Sequence, residues 1–182
     1  PKNYNGEFLG PVTLNEALGK SINTIAVQLA TEIGIERVRA IAKDFGIRSL
    51  IGTGPAVALG ASEVNLLELT AAYAGFLSSG RSVSPIGWLD LKVRGDEEVL
   101  MSVDRSDGLQ VIDSHAGGAL LYMLRSVVES GTGIRARIPG LDLAGKTGTS
   151  QSAKDAWFIG FSSNFVCGVW IGNDDNTSLE GV

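Results

Sequence analysis

Ala144-Gly145-Lys146-Thr147-Gly148-Thr149 gathers an ammonium group, two hydroxyls and two glycines into one short run, a combination suited to holding an anion. Two chemistries fit it. Gly140 to Thr147 reads G-L-D-L-A-G-K-T, which satisfies the G-x-x-x-x-G-K-[ST] pattern of a phosphate-cradling loop. Read instead as an extended strand, alternation sends Thr147 and Thr149 to one face and Lys146 and Gly148 to the other. A site that uses all four then lies along the strand's edge. An extended peptide substrate could pair with that edge, Gly148 having no side chain to block its approach. The threonine hydroxyls would donate to a substrate carboxylate, and Lys146 would supply the positive field that favours it.

The flanking residues choose between these. A phosphate cradle needs a buried strand before the glycine-rich turn and a helix directly after the Lys-Thr, because loop amides and the helix N-terminus hold the phosphates. Leu141-Asp142-Leu143-Ala144 alternate like a strand, Pro139 precedes them, and polar residues followed by a tryptophan-led strand come after Thr149. The strand reading fits; the cradle does not. A second candidate is Ser21-Ile22-Asn23, where residues two apart at the junction of two expected helices can both project into one cleft. Taken alone it reads more readily as a serine N-cap with a polar neighbour. His115 is the only histidine, so a Ser-His-Asp triad would have to use it, and its place beside an expected helix start reads as a surface or capping residue. Asp174 and Asp175 read as a solvated turn after a strand rather than a cation site. Trp157 and Trp170 read as sheet-face packing.

The elements that must position these groups are marked by capping and periodicity. Thr13-Leu14-Asn15-Glu16 fits a capping box and opens a short helix to about Lys20. Ile22, Ile25, Ala26, Leu29 and Ile33 recur at helical spacing up to Gly34, and Val38, Ile41, Ala42 and Phe45 mark the inward face of a third helix from about Glu36, ending before Gly46. Gly52 to Gly60 reads as loop. Asn65-x-x-Glu68 opens a helix with Leu66, Leu69, Tyr73 and Leu77 inward, and Gly80 stops it. Alternation at Leu89, Leu91 and Val93, and again at Val99, Met101 and Val103, predicts a hairpin. A helix over 114–129 and a loop Ser130-Gly131-Thr132-Gly133 follow. Strands are expected over 141–149, 157–162 and 165–172, the last two antiparallel because Ser162-Ser163-Asn164 is too short for a parallel crossover.

Composition bounds the rest. With 182 residues, 44% hydrophobic and 19% charged, the chain can bury a sizeable core as one domain. A net charge of −5 with no basic cluster argues against nucleic acid as a partner. Cys167 is the only cysteine, which removes an intrachain disulfide and leaves the redox compartment open; inside the apolar run Phe165 to Ile171 it is expected to be a buried thiol. No apolar run reaches the ~20 residues that span a bilayer. Pro1-Lys2-Asn3 carries neither a methionine nor a signal-like apolar region, and the chain is expected to be a piece of a longer one.

Ser21-Ile22-Asn23 ahead of Lys146-Thr147-Gly148-Thr149, followed by Asp155-Ala156-Trp157-Phe158-Ile159-Gly160-Phe161 and Gly168-Val169-Trp170-Ile171-Gly172-Asn173-Asp174, closely resembles the transpeptidase domain of class A, bifunctional penicillin-binding proteins. The resemblance covers nearly the whole chain. It extends to Gly10-Pro11-Val12-Thr13-Leu14 with Glu16-Ala17-Leu18, to Leu59-Gly60-Ala61-Ser62-Glu63-Val64, and to Val127-Val128-Glu129-Ser130-Gly131-Thr132-Gly133. Residues 177–182 add nothing to it. Ile22 stands where the Ser-Asp-Asn variant of the motif has aspartate. The family's nucleophile sits in Ser-x-x-Lys, and no serine here has a lysine three residues later. That motif lies upstream of Ser-x-Asn in the family, so residues 1–182 are expected to be the C-terminal portion of one transpeptidase domain, without the nucleophile segment.

The resemblance implies a fold of the α+β kind, an antiparallel sheet flanked by helices, and an activity, peptidoglycan D,D-transpeptidation. A serine would attack a D-Ala-D-Ala stem peptide, D-alanine would leave, and a neighbouring stem-peptide amine would resolve the acyl-enzyme; β-lactams would acylate the same serine. Ser21, hydrogen-bonded to Lys146, would relay a proton to the leaving group, and the Asn23 amide would orient the acyl side. Thr147, Gly148 and Thr149 would bind substrate, the Thr149 N–H serving as one oxyanion donor. No metal and no cofactor are implied. The implied partners are peptidoglycan stem peptides, β-lactam antibiotics, and an upstream part of the same protein with a glycosyltransferase domain and membrane anchor, at the extracytoplasmic (periplasmic) face of the inner membrane. A β-lactam-binding sensor and a D,D-carboxypeptidase or β-lactamase-like hydrolase are the alternatives. The chain alone is expected to form no penicilloyl adduct and to expose an apolar face.

Overall fold

A computed structural model describes residues 3, 6, 8–104, 108–150 and 153–179. Three helices come first, α1 (Leu14–Gly19), α2 (Asn23–Ile33) and α3 (Ile35–Asp44), then a 3-10 turn (Pro55–Leu59), α4 (Leu66–Leu77), a hairpin of β1 (Asp90–Lys92) and β2 (Val99–Ser102), and α5 (Ser114–Glu129). A second 3-10 turn (Ile134–Ala136) leads into β3 (Ala144–Thr149), β4 (Asp155–Phe161) and β5 (Val166–Gly172). The three form an antiparallel sheet in the order β3-β4-β5, flanked by helices as expected.

Local chemistry sets the helix starts. Around α1 the capping box is complete: the Glu16 N–H donates to Thr13 Oγ1 at 3.2 Å and the Thr13 N–H donates to Glu16 Oε2 at 3.1 Å. Asn65 Oδ1 accepts from the Leu67 N–H at 2.8 Å, and Asp113 Oδ1 accepts from the Ala116 N–H at 2.9 Å, capping α4 and α5. Gly34, at φ 102, ends α2 and starts α3 without an intervening loop. His115 sits exposed in the first turn of α5.

α4 covers one face of the sheet. The register places Trp157, Ile159 and Phe161 of β4 beside Trp170, Gly168 and Val166 of β5, and beside Gly148, Lys146 and Ala144 of β3. On that face Ile159 and Phe161 are buried, Tyr73 of α4 packs on Phe161 with ring centroids 6.4 Å apart, and a Cβ at Gly168 would run into Thr70 and Leu66. Leu124, Val127 and Val128 of α5 are buried as well; each such side chain removed from water is worth roughly 1.5–3 kcal/mol. A second cluster forms where Phe45, Ile47 and Ala72 meet Ile51, Leu69 and Phe76, with Phe45 edge-on to Phe76 at 5.2 Å.

Several expectations change. Cys167 is exposed, not buried: it lies on the opposite sheet face, where its neighbours Phe165, Val169 and Ile171 are 76%, 43% and 55% exposed. A continuous apolar run suggests cover on both faces, but α4 covers only the side of Gly168. β3 begins at Ala144 rather than Leu141, because Ile138 to Leu141 closes a turn, the Leu141 N–H donating to the Ile138 carbonyl at 3.1 Å with Gly140 at φ 83. Ile41, expected inward on α3, is 44% exposed. Among the described residues no helix is long and apolar enough to cross a membrane.

Candidate active site

Ser21 occupies an unusual backbone position. It follows α1 with φ 53, and two hydrogen bonds close around it, from the Ile22 N–H to the Ala17 carbonyl at 2.9 Å and from the Ser21 N–H to the Leu18 carbonyl at 3.1 Å. That pair defines the Schellman C-terminal motif, whose left-handed residue is ordinarily glycine. A residue with a Cβ there costs roughly 1–2 kcal/mol, and such strain gathers where a side chain has a task. The turn leaves the Ser21 side chain exposed and starts α2 two residues later at Asn23, which is half-buried.

Lys146 reaches Ser21 from the sheet. Its Nζ donates to Ser21 Oγ at 2.8 Å and to the Thr147 carbonyl at 2.9 Å. Burial pushes the ammonium from its ordinary 10.5 down to about 8, because desolvation disfavours the charged form. At neutral pH it is therefore still mostly charged and is a readier proton donor than a surface lysine.

The edge of β3 presents the remaining groups. The Ser150 N–H donates to the Asp155 carbonyl at 3.1 Å, which fixes the phase of the β3–β4 ladder. Since antiparallel residues alternate between pairing inward and pointing away, the register turns the backbone N–H and C=O of Gly145, Thr147 and Thr149 away from β4. Among the described residues β3 has no other strand partner, so these groups line a free edge. The Thr147 hydroxyl lies 2.7 Å from the Thr132 hydroxyl, and Thr149 is exposed. At Gly148 an added Cβ would stand 3.3 Å from the Trp157 Cβ, so its cross-strand neighbour already calls for a glycine. Ser21, Lys146 and Thr147 thus converge on one cleft at this edge, from positions 125 residues apart for the Lys146–Ser21 contact. Residues 2–178 match the family model for the penicillin-binding protein transpeptidase domain. The chain belongs to that family.

The chain is 38% identical to the penicillin-binding protein 1A of Aquifex aeolicus over 98% of its own length but only 24% of that relative's. Among solved structures it superposes on penicillin-binding protein 1A from Haemophilus influenzae with a TM-score of 0.85 at 26% identity, over 97% of this chain and 32% of that one. A D,D-transpeptidase domain of a peptidoglycan glycosyltransferase from Eggerthella lenta gives a TM-score of 0.73 at 26% identity, over 88% and 48%. The chain therefore spans about a quarter of the length of the curated relative it matches.

Within the transpeptidase domain the phosphate-cradle pattern is a coincidence. β3 runs through Lys146 and Thr147 to Thr149, and the next element among the described residues is β4, so no helix N-terminus directly follows the Lys-Thr pair. Trp157 packs against Trp170 with centroids 6.3 Å apart, and Trp170 Nε1 donates to Asp155 Oδ1 at 3.0 Å. Asp175 accepts from the Thr177 N–H at 3.1 Å and from its hydroxyl at 2.7 Å, and this holds its carboxyl below the usual range. Thr132 was not among the candidate site residues. Only its place between Gly131 and Gly133, in the loop ahead of the Lys-Thr-Gly strand, could have drawn attention to it.

Proposed function

We propose that this chain is the C-terminal portion of a peptidoglycan D,D-transpeptidase domain, cross-linking cell-wall stem peptides by serine acyl transfer. The single observation that carries the reading is the 2.8 Å contact of Lys146 Nζ with Ser21 Oγ beside the free edge of β3. Acyl transfer needs an activated nucleophile, a proton route to the leaving nitrogen, and donors aimed at the developing oxyanion. On this reading the nucleophile belongs to a Ser-x-x-Lys segment of the same protein outside residues 1–182. The D-Ala-D-Ala end of the donor peptide lies along β3, its carboxylate taken by the Thr147 and Thr149 hydroxyls in the field of Lys146. Ser21 passes a proton from Lys146 to the departing D-alanine nitrogen, and Asn23 orients the acyl side. The outward N–H of Thr149 donates to the oxyanion, a role worth about 3–4 kcal/mol in acyl-transfer sites of this kind.

β-Lactams present the same carboxylate and a reactive amide, and on this reading acylate the same serine. The rest of the proposal follows the relatives' greater length: a protein with an upstream glycosyltransferase domain and membrane anchor, working at the periplasmic face of the inner membrane. The test is turnover of a pentapeptide ending in D-Ala-D-Ala by the full-length protein, with and without an acceptor amine. Release of D-alanine with formation of the cross-linked product is expected. Hydrolysis alone, undiverted by acceptor, would mark a carboxypeptidase instead.

A further inference from the structure

Thr132 is tied to both walls of the cleft. Its N–H donates to the Gly19 carbonyl at 3.0 Å, two residues before Ser21, and its hydroxyl meets that of Thr147 at 2.7 Å. The loop around it has little freedom. The N–H groups of Gly131 and Gly133 both donate to the carbonyl of Val127, at 3.1 and 2.9 Å, and Val127 itself is fully buried at 0% exposure. A Cβ at Gly131 would run into the Gly19 carbonyl and stand 2.9 Å from the Val127 Cα, and one at Gly133 would lie 3.2 Å from Val127 Cγ1. Thr132, itself exposed, is thus held at the tip of a wedge between the end of α1 and β3.

Two hydroxyls 2.7 Å apart share one hydrogen bond and keep one proton to spend elsewhere. We propose that Thr132 is a positioning residue: its hydroxyl donates to Thr147 Oγ1, so that the Thr147 proton points into the cleft toward the carboxylate of the ligand. The donation turns the Thr147 proton away from Thr132, and a hydroxyl that accepts one hydrogen bond donates the next more strongly. The inference rests on the assignment of Thr147 to the substrate carboxylate. It adds that the preference for a carboxylate-ended ligand is set in part by a residue fifteen positions upstream.

The experiment uses the full-length protein with its Ser-x-x-Lys segment and two probes, a penicillin with a free carboxylate and its methyl ester, each read as a second-order acylation rate constant. Wild type should prefer the acid over the ester. Thr132→Val, which keeps the shape and loses the hydroxyl, should shrink that preference about fivefold, the worth of a hydrogen bond of ~1 kcal/mol, and Thr132→Ser should restore it. A purely structural role for Thr132 would slow both probes equally and leave their ratio unchanged. That result overturns the inference while the transpeptidase reading stands. If wild type itself shows no preference for the acid, the assignment of Thr147 fails and this inference with it. If wild type is not acylated at all, the functional reading fails as well.

Discussion

Ser21 should be a position where stability and activity pull apart. It sits at φ 53 in a turn whose two closing hydrogen bonds favour glycine, and its hydroxyl takes the 2.8 Å hydrogen bond from Lys146. Ser21→Ala and Ser21→Gly both delete that bond, so the difference between them isolates the backbone. A Cβ in the left-handed region costs roughly 1–2 kcal/mol. Glycine returns about 0.4–1 kcal/mol of this through the greater freedom of its unfolded chain. Ser21→Gly should therefore be more stable than Ser21→Ala by ~1 kcal/mol, read as a higher urea midpoint at unchanged slope. Acylation by a fluorescent penicillin, followed by stopped flow in the full-length protein, should fall by about 100-fold or more in both, the lower end of what a general acid–base group contributes. A Gly variant no more stable than the Ala variant would refute the strained-turn account. Acylation near the wild-type rate in either variant would refute the proton relay.

Lys146 should give the second-order acylation rate an alkaline limb near pH 8, since burial lowers its ammonium to about 8 and the free-enzyme profile reports that group; Lys146→Arg, always charged, should lose the limb. For stability the sign follows from the same shift. The desolvation cost is fully present below pH 8 and fades as pH rises toward 10.5, where the unfolded chain still holds the proton, so wild type should gain on Lys146→Met by ~3 kcal/mol across that window in urea titrations at stepped pH. A gap that stays constant with pH would contradict it. Gly131→Ala would push a methyl into the Gly19 carbonyl and toward Val127; a loss of roughly 1–3 kcal/mol with slowed acylation is expected from denaturation and labelling of the same sample, and an unperturbed variant would remove the wedge.

The legible parts of this fold are those that local chemistry decides. Thr13 with Glu16 and Asn65 with its own next turn could be read as helix starts because a cap and its partner lie within three residues. The hairpin and the antiparallel order of β4 and β5 were legible for the same reason, period and link length being local quantities. Cys167 departs from its expected burial because cover on a strand's second face depends on which distant helix lies over it, and α4, the helix packed on β5, lies over the other face. The cleft was legible only through resemblance: nothing in Ser21-Ile22-Asn23 alone points across 125 residues to Lys146. The left-handed Ser21 could not be foreseen, since the usual sign of that turn is a glycine and here the side chain was kept instead. Thr132 escaped for a similar reason, a hydroxyl facing a hydroxyl carrying no pattern along the chain.

The central claim is that Ser21, Lys146 and the β3 edge serve a nucleophile located elsewhere in the protein. The most direct measurement labels the full-length protein with penicillin and maps the adduct by peptide mass spectrometry, in wild type and in Lys146→Ala. One penicilloyl-serine is expected, in a Ser-x-x-Lys sequence outside residues 1–182, formed at least ~100-fold more slowly when Lys146 is removed, as for loss of a general acid–base group. An adduct on Ser21 or on any other residue of this chain, or a labelling rate indifferent to Lys146, would contradict it.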